Sequence, residues 1–327
     1  MGIPIRYYRF RSPRCLMGSS SGFSLNHTVA DGNSLLSFWH AWSEIHRDAN
    51  GKKHMFLSHP PIHNFLFPCG IGHEVQLPIT PRPDELIIRS QVPQLKERIF
   101  HFSAESIKRL KEQANRETNN THKISSLQAL TALMWRSIVR ARRLSYDQAT
   151  NIGLAINNRH RLDPPLPKNY FRNCISVIKA TTVVGELLKH SLGWAALLLH
   201  QAVANHNNEV ICDSLNGWHK SPVFYNLGTM ASSFSALMTH SPRFDFYGVQ
   251  FGFGKPLAVR SGSSNKYSGN LNILPGYEGG GSMDLEVYLP SDFMRALESD
   301  EEFKSVVSLL HMLAKEPPCT TKNLSKI

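Results

Sequence analysis

Closely spaced cysteines are missing from this chain of 327 residues, because its five cysteines are scattered and no Cys-x-x-Cys pair occurs. Structural zinc sites and disulfide frameworks rest on cysteines at short, regular spacings, so the sequence indicates neither a metal site nor a set of disulfides. Reduced cysteines are typical of the cytoplasm, which is the location that we expect. The five are Cys15, Cys69, Cys174, Cys212 and Cys319.

Long apolar segments are also lacking. No run of residues approaches the ~20 apolar residues that a membrane-spanning helix needs. The basic N-terminus has no apolar core of signal-peptide length. The sequence therefore predicts no membrane association.

Positive charge is abundant, but it is not arranged for nucleic-acid binding. The 36 Lys and Arg residues outnumber the 25 acidic ones, which gives a formal net charge of +11. The densest basic clusters, at residues 136–143 and 158–161, lack the interleaved aromatic side chains on which bases stack. We expect no nucleic-acid partner, and the basic excess stays compatible with phosphorylated small molecules.

Hydrophobic periodicity predicts a layered fold of mixed strands and helices. Residues 23–26 form a short strand in this interpretation, and the apolar stripe of residues 33–50 indicates an amphipathic helix. Residues 51–95 are rich in Pro, Gly and His and are typical of a crossover loop. Further predicted elements are a strand and a helix in 97–115 with Ser103 as N-cap, a helix over 124–144, two strands in 149–183, a helix over 185–208, strands and turns over 244–262 and 268–290, and a helix from Ser291.

The segment HTVADG, residues 27–32, follows the first predicted strand and contains the strongest candidate for chemistry. A histidine in a loop can be a general base, since its pKa lies near the working pH. The same residues have a simpler interpretation, in which His27 ends a strand, Asp31 or Asn33 is an N-cap, and Gly32 is a turn residue. Spacing alone leaves both interpretations open.

A second motif, QFGFGKP at residues 250–256, decides between them. HTVADG resembles the H-x-x-x-D-G signature of the BAHD acyl-CoA-dependent acyltransferases, and QFGFGKP resembles their D-F-G-W-G-K-P signature. The segments at 157–174, 241–248 and 258–276 are similar to family segments and occur in the same order. The resemblance implies an α/β fold of the chloramphenicol-acetyltransferase type, with two domains, mixed sheets and flanking helices.

The resemblance also implies an activity and a role for each motif residue. Acyl-CoA is the expected co-substrate, a hydroxyl or amine of a plant metabolite is the acceptor, and no cofactor is bound permanently. The protein is expected to be a monomer. His27 is implied as the general base, with Asp31 holding the loop through a charged hydrogen bond and Gly32 allowing a tight turn. The second motif is implied to be structural and comprises Gln250, Phe251, Gly252, Phe253 and Gly254.

Binding residues are less sharply indicated. Some family members hold a carboxylate-bearing acceptor, such as shikimate, with an arginine near the position of Arg243, although a purely structural arginine also fits. Arg260 and Lys266 are candidates for contact with the phosphates of CoA, or else side chains of an exposed turn.

The chain also departs from the family pattern. Gln250 replaces an aspartate that pairs with an arginine, here Arg159 or Arg161, so that arginine is expected to lose its charged partner. Phe253 replaces a tryptophan. Arg172 replaces a glycine, which implies strain if the backbone there has a positive φ.

Length is the largest departure, because roughly the first quarter to third of a family member is absent before His27. We therefore expect residues 1–95 to be a remnant of the N-terminal domain with its crossover loop, and residues 96–327 to be the C-terminal domain. Two other functions stay open. One is a catalytically impaired paralogue that at most binds ligands, and the other is lyase chemistry in the same pocket.

Overall fold

The computed structural model describes residues 8–11, 14–15, 18–49, 57–64, 68–70, 94–119, 123–223, 235–262 and 266–308. No helix within these ranges has the length and apolar character needed to cross a membrane. The strands are β1 (Tyr8–Arg11), β2 (Arg14–Cys15), β3 (Gly18–Ser19), β4 (Gly22–Leu25), β5 (Leu95–Phe102), β6 (Ala149–Asn157), β7 (Ile175–Val183), β8 (Ala236–His240), β9 (Asn270–Pro275) and β10 (Met283–Pro290). The helices are α1 (Gly32–Ala49), α2 (Ala104–Glu117), α3 (Ser126–Ala141), α4 (Val184–Lys189), α5 (Leu192–Asn205), α6 (Asn208–Lys220), α7 (Ser291–Glu298) and α8 (Glu301–Lys304), with a short 3-10 turn at Pro68–Gly70.

A six-stranded mixed sheet forms the centre of the described structure, with the strand order β5-β10-β9-β8-β6-β7. The pairs β6–β8 and β8–β9 are parallel. The pairs β5–β10, β9–β10 and β6–β7 are antiparallel. The early strands lie outside this sheet, since β1 pairs with β4 and β2 pairs with β3.

Helices cover one face of the sheet and form the hydrophobic core with it. Helix α3 is buried on nearly every side, as expected for a helix that is apolar all round. Fully buried Trp135 donates its indole N–H to Thr150 in β6 at 3.0 Å, which joins the helix to the sheet. Each large apolar side chain buried in this way contributes about 1.5–3 kcal/mol to the free energy of unfolding.

Sequence signals fix the starts of the core helices. Ser103 caps α2 by accepting a hydrogen bond from the backbone of Ser106. Ser125 and Gln128 form a capping box at α3, in which each side chain accepts from the other residue's backbone N–H.

Most predicted elements are confirmed, two predictions are wrong, and two elements were not predicted. The helix predicted over 185–208 is two helices, α4 and α5, because the backbone is extended at His190 and Ser191 caps a new start. No strand lies within 244–262, where the chain forms turns. Strand β8 and helix α6 were not predicted. The domain boundary at residue 95 stays a prediction, and most of 51–95 lies outside the described residues.

The expectation that all cysteines stay reduced is also wrong. Cys69 and Cys212 form a disulfide that joins the 3-10 turn to α6. The two residues are separated by 143 positions, so no local spacing rule could have indicated the pair. Cys174 is a free thiol, and burial raises its pKa.

We predict that this cross-link stabilises the fold. Replacing Cys212→Ser frees a loop of more than a hundred residues in the unfolded chain, which should lower the free energy of unfolding by about 2–5 kcal/mol. Denaturant unfolding measures this loss, and Cys174→Ala is the matched control. Peptide mapping without reduction should recover Cys69 linked to Cys212, and finding both as free thiols would contradict the assignment.

Candidate active site

Asp31 fixes the start of α1 and at the same time holds a buried arginine. Its Oδ1 accepts a hydrogen bond from the backbone of Ser34 at 3.0 Å, so Asp31 is the N-cap of the helix. Its two oxygens also accept from Arg159, Oδ2 from Nη1 at 2.7 Å and Oδ1 from Nη2 at 3.1 Å. Asp31 is 2% exposed and Arg159 is 3% exposed. The pair is therefore a desolvated, two-point ion pair.

Arg159 uses its remaining donors to hold the segment that leads into β7. Its guanidinium donates to the carbonyl oxygens of Tyr170, at 3.1 and 3.2 Å, and of Arg172, at 2.7 Å. The backbone N–H of Cys174 donates to Asp31 at 2.8 Å. One ion pair thus ties three pieces of chain together: the HTVADG loop, the segment just after β6, and residues 170–174.

His27 lies at the open side of this arrangement. The residue is exposed, and its backbone carbonyl accepts a hydrogen bond from the amide of Asn173 at 2.7 Å. Asn26 accepts from both the backbone and the hydroxyl of Thr28, at 3.0 and 2.8 Å, which closes the turn. The backbone of the loop is therefore anchored, while His27 itself is exposed to solvent.

The reason expected for a glycine at position 32, a tight turn of the backbone, is wrong. Gly32 has no positive φ, so no left-handed turn requires a glycine there. A Cβ at this position would instead come within 2.9 Å of Cε2 and 3.2 Å of Cζ in the ring of Phe244. Gly32 is required for close packing between the start of α1 and the segment that follows β8.

Helix α1 connects the two signature motifs. Gly32 meets Phe244 at one end, Trp39 packs edge-on against Phe246 with ring centroids 6.3 Å apart, and Trp42 packs against Phe251 at 5.1 Å. Ten residues of helix span about 15 Å, so the second motif lies far from the HTVADG loop. This distance is consistent with a structural role for the second motif.

The glycines of the second motif do form a tight turn. Gly252 has a φ of 85° and Gly254 a φ of 92°, which a residue with a side chain rarely adopts. Phe253 between them is 89% exposed. Lys255 donates to the carbonyl of Tyr277 at 3.0 Å and lies over its ring, which anchors the motif to the β9–β10 turn.

The expected consequences of the departures are wrong for Arg159 and for Arg172. Arg159 has a charge partner, Asp31, so the expected loss of its partner is wrong. Within the described ranges Arg161 forms no ion pair, and its buried Nε has no hydrogen-bond partner. Arg161 instead donates to the carbonyls of Val203 and His206, at 3.0 and 2.6 Å. Arg172 has no positive φ, so the missing glycine causes no strain there.

Arg243 lies next to the residue that packs on Gly32, and it is exposed. Its charge acts on His160, whose pKa is lowered by desolvation first and then by Arg161 and Arg243. Among the described residues Arg243 forms no ion pair. Its exposed guanidinium therefore places a positive charge close to the start of α1.

The two candidates for phosphate contact differ in their surroundings. Lys266 pairs with Glu97 and lies 4.8 Å from the centroid of the Tyr288 ring, so its charge is already compensated. Arg260 is exposed and donates to its neighbouring carbonyl at 2.6 Å.

Sequence reasoning missed a second histidine and a buried carboxylate near the site. His240 ends β8 with a φ of 66°, and Glu286 in β10 is fully buried. Desolvation by the surrounding protein lowers the pKa of His240, and a charge on His27 lowers it further, while Glu286 and a hydrogen bond that the ring donates to Asn272 oppose this. Strand β8 was not predicted, so no pattern placed His240 at the end of a strand.

We predict that breaking the buried ion pair is costly. Asp31→Asn or Arg159→Met leaves an uncompensated or unpaired group in the interior, which should cost about 3–5 kcal/mol of unfolding free energy. The double variant should lose less than the sum of the two single losses. Urea unfolding measures all three, with Lys304→Gln in an exposed pair as a control that changes by less than about 1 kcal/mol. Strict additivity would show that the two residues do not interact.

We also predict that Gly32→Ala destabilises the protein although alanine favours helices. The new methyl group must displace the Phe244 ring, which should cost about 1–3 kcal/mol. Phe244→Leu in the same chain should restore part of this loss. Gly217→Ala in α6 is the control, because its methyl group would meet nothing within 4 Å, and it should stabilise by about 0.4–1 kcal/mol. Equal effects at the two glycines would refute the packing explanation.

Similarity to known proteins indicates the family to which this chain belongs. A family profile described as Transferase family matches residues 17–304. An Arabidopsis thaliana protein named as an uncharacterized acetyltransferase is 37% identical over 86% of this chain and 63% of its own length. The BAHD acyltransferase DCR of A. thaliana is 33% identical over 88% of this chain and 60% of its own length. The shikimate O-hydroxycinnamoyltransferase of Nicotiana tabacum is 30% identical over 86% of this chain and 66% of its own length.

Solved structures share the fold at low sequence identity. Vinorine synthase superposes with a TM-score of 0.66 and 20% identity, covering 94% of this chain and 68% of that one. TRI101 of F. sporotrichioides, solved with coenzyme A and T-2, has a TM-score of 0.68 and 17% identity, covering 92% and 69% of the two chains. The chain therefore spans less than two thirds of the length of the first two curated relatives above, has the chloramphenicol-acetyltransferase-like α/β fold, and belongs to the BAHD acyltransferase family.

Proposed function

We propose that this chain transfers an acyl group from acyl-CoA to a hydroxyl or amine of a small acceptor, with His27 as the general base. The observation that carries the proposal is that the HTVADG loop has an anchored backbone and an exposed histidine. Its backbone is fixed by the buried Asp31–Arg159 pair and by Asn173, while His27 is exposed. A base must be both positioned and reachable, and this loop provides both properties.

The reaction requires one proton carrier and no protein nucleophile. His27 accepts the proton of the acceptor O–H or N–H while that oxygen or nitrogen attacks the thioester carbonyl carbon. When the carbon–sulfur bond breaks, the imidazolium returns the proton to the departing CoA thiolate. The products are the ester or amide and free CoA, and the imidazole ends neutral as it began.

The exposed charge of Arg243 bears on the choice of acceptor. Arg243 is exposed and adds its charge near His160 and Arg161, so an acceptor that carries a carboxylate would be attracted to this side of His27. A related protein is named for shikimate, an acceptor of this kind, and others are named for agmatine and anthranilate. We take hydroxycinnamoyl transfer to a shikimate-type acceptor as the first candidate.

Donor binding and cellular context complete the proposal. TRI101 is solved with coenzyme A, and Arg260 is our candidate for contact with the CoA phosphates here, since Lys266 is paired with Glu97. A monomer in the cytoplasm stays our prediction. The Cys69–Cys212 disulfide is evidence against a permanently reducing location.

Ligand binding without turnover is the second candidate function. The observation that favours it is that Gln250, Phe253 and Arg172 replace an aspartate, a tryptophan and a glycine of the family pattern. Lyase chemistry with the same base is separated from transfer by product analysis in the absence of acyl-CoA.

The test follows free thiol while the full chain is incubated with acetyl-CoA, p-coumaroyl-CoA or benzoyl-CoA and with shikimate, agmatine or anthranilate. We expect thiol release that depends on the acceptor, and His27→Ala should lower its rate by roughly 10²–10⁴ because the proton acceptor is lost. Arg243→Gln should raise KM for shikimate and leave KM for agmatine unchanged.

His59→Ala, an exposed histidine of the loop before residue 64, is the matched control and should keep full activity. Undiminished turnover by His27→Ala would reject the mechanism. Binding of CoA, seen as a raised Tm, without thiol release from any pair would establish the second candidate instead.

A further inference from the structure

Three neighbouring strands place a row of polar side chains on the sheet face opposite the hydrophobic core. Thr239 in β8 is in register with Asn272 in β9, and Asn272 is in register with Glu286 in β10. Met238, Leu271 and Leu285, one position away in each strand, belong to the core. Because side chains alternate between the two faces of a strand, the polar row lies on the other face. His240 follows Thr239 at the end of this row.

Glu286 fixes one end of the row. It is fully buried, and its carboxylate accepts hydrogen bonds from the backbone of Ser261 at 2.9 Å, from the Tyr288 hydroxyl at 2.9 Å and from the Ser261 hydroxyl. Asn272 Nδ2 donates to the same carboxylate at 3.4 Å and to the Ser261 hydroxyl at 2.9 Å. A carboxylate only accepts, so the amide nitrogen of Asn272 must face it and the amide oxygen must face Thr239.

The orientation of the Asn272 amide determines which atoms of Thr239 and His240 carry the protons at the other end of the row. Thr239 Oγ1 donates its only proton to Asn272 Oδ1 at 2.6 Å. Toward Nδ1 of His240, 3.2 Å away, the hydroxyl therefore has only a lone pair to offer. Nδ1 must carry the ring proton to complete this hydrogen bond, so in the neutral ring Nε2 is left as an acceptor.

The backbone of His240 adopts a conformation that keeps the ring in this place. A φ of 66° is uncommon for a residue with a side chain, and such residues cluster at functional sites. The residue is exposed, while the surrounding protein lowers its pKa by desolvation and a charge on His27 lowers it further. His240 is therefore an exposed residue near enough to His27 for the charge of one to act on the pKa of the other, and in its neutral ring Nε2 is the hydrogen-bond acceptor.

We propose that His240 binds the acceptor substrate by accepting a hydrogen bond at Nε2 from an O–H or N–H adjacent to the group that is acylated. This inference rests on the proposed function. It predicts that the acceptor carries a second hydrogen-bond donor beside the nucleophile, as vicinal diols and guanidines do. The row from Glu286 through Asn272 and Thr239 positions the ring and does not touch the substrate.

The first test uses the wild-type chain alone and requires no turnover. Diethyl pyrocarbonate attacks the unprotonated nitrogen of a neutral, accessible imidazole. At pH 7 peptide mapping should find His240 modified, and saturating shikimate should slow its modification. A His240 that stays unmodified while exposed His59 reacts would overturn the proposal, because Nε2 would then be protonated or covered.

The second test compares two variants on two acceptors that differ by one donor. His240→Phe removes the acceptor atom, and His240→Gln keeps one in Oε1. With p-coumaroyl-CoA, His240→Phe should raise KM for shikimate about tenfold, equivalent to ~1.4 kcal/mol, with kcat much less affected. KM for a simple alcohol with a single hydroxyl, such as benzyl alcohol, should not change. His240→Gln should recover part of the loss for shikimate, and His190→Gln, at the far end of α4, is the matched control.

The outcomes separate this inference from the proposed function. Thiol release that depends on His27 but shows equal KM changes for both acceptors in His240→Phe would refute the role of His240 and leave acyl transfer standing. An absence of acceptor-dependent thiol release with every donor would refute the proposed function, and the role of His240 with it.

Discussion

The buried ion pair between Asp31 and Arg159 is the constraint on which the rest of the site depends. Each residue is nearly fully buried, and a charge in that position is tolerated only with a partner. The guanidinium has five N–H donors, and it shares them among Asp31, Ser34, Asn157 and the carbonyls of Tyr170 and Arg172. No uncharged side chain could replace this set of contacts. The HTVADG loop, the start of α1 and the segment into β7 therefore have one common anchor.

The proposed function rests on the contrast between that anchor and its surroundings. Asp31 is hidden, whereas His27, four residues earlier, is exposed on a turn closed by Asn26 and Asn173. Helix α1 then carries the constraint to the second motif through its contacts with Phe244, Phe246 and Phe251. The two signatures are far apart in sequence, and α1 joins them in space.

The sequence allowed the broad outline of fold and site to be predicted where the signal is local. Caps such as Ser103 and Ser125 stand directly before their helices, and the apolar stripe of α1 is visible in eighteen consecutive residues. The predictions that are wrong concern residues whose contacts lie far away in the sequence. The need for Gly32 comes from the Phe244 ring, more than two hundred residues away, and the partner of Arg159 is 128 residues away. The Cys69–Cys212 bond and the row that ends at His240 are non-local in the same sense, and no periodicity encodes them.

A structure of the full chain with bound coenzyme A would test the central claim most directly, namely that the exposed imidazole of His27 marks the place of acyl transfer. We predict that the CoA sulfur lies within hydrogen-bond reach of the His27 ring, about 3–3.5 Å from a ring nitrogen. The Asp31–Arg159 pair should be unchanged in that complex. Coenzyme A bound with its sulfur distant from His27, or on the helix-covered face of the sheet, would contradict the account.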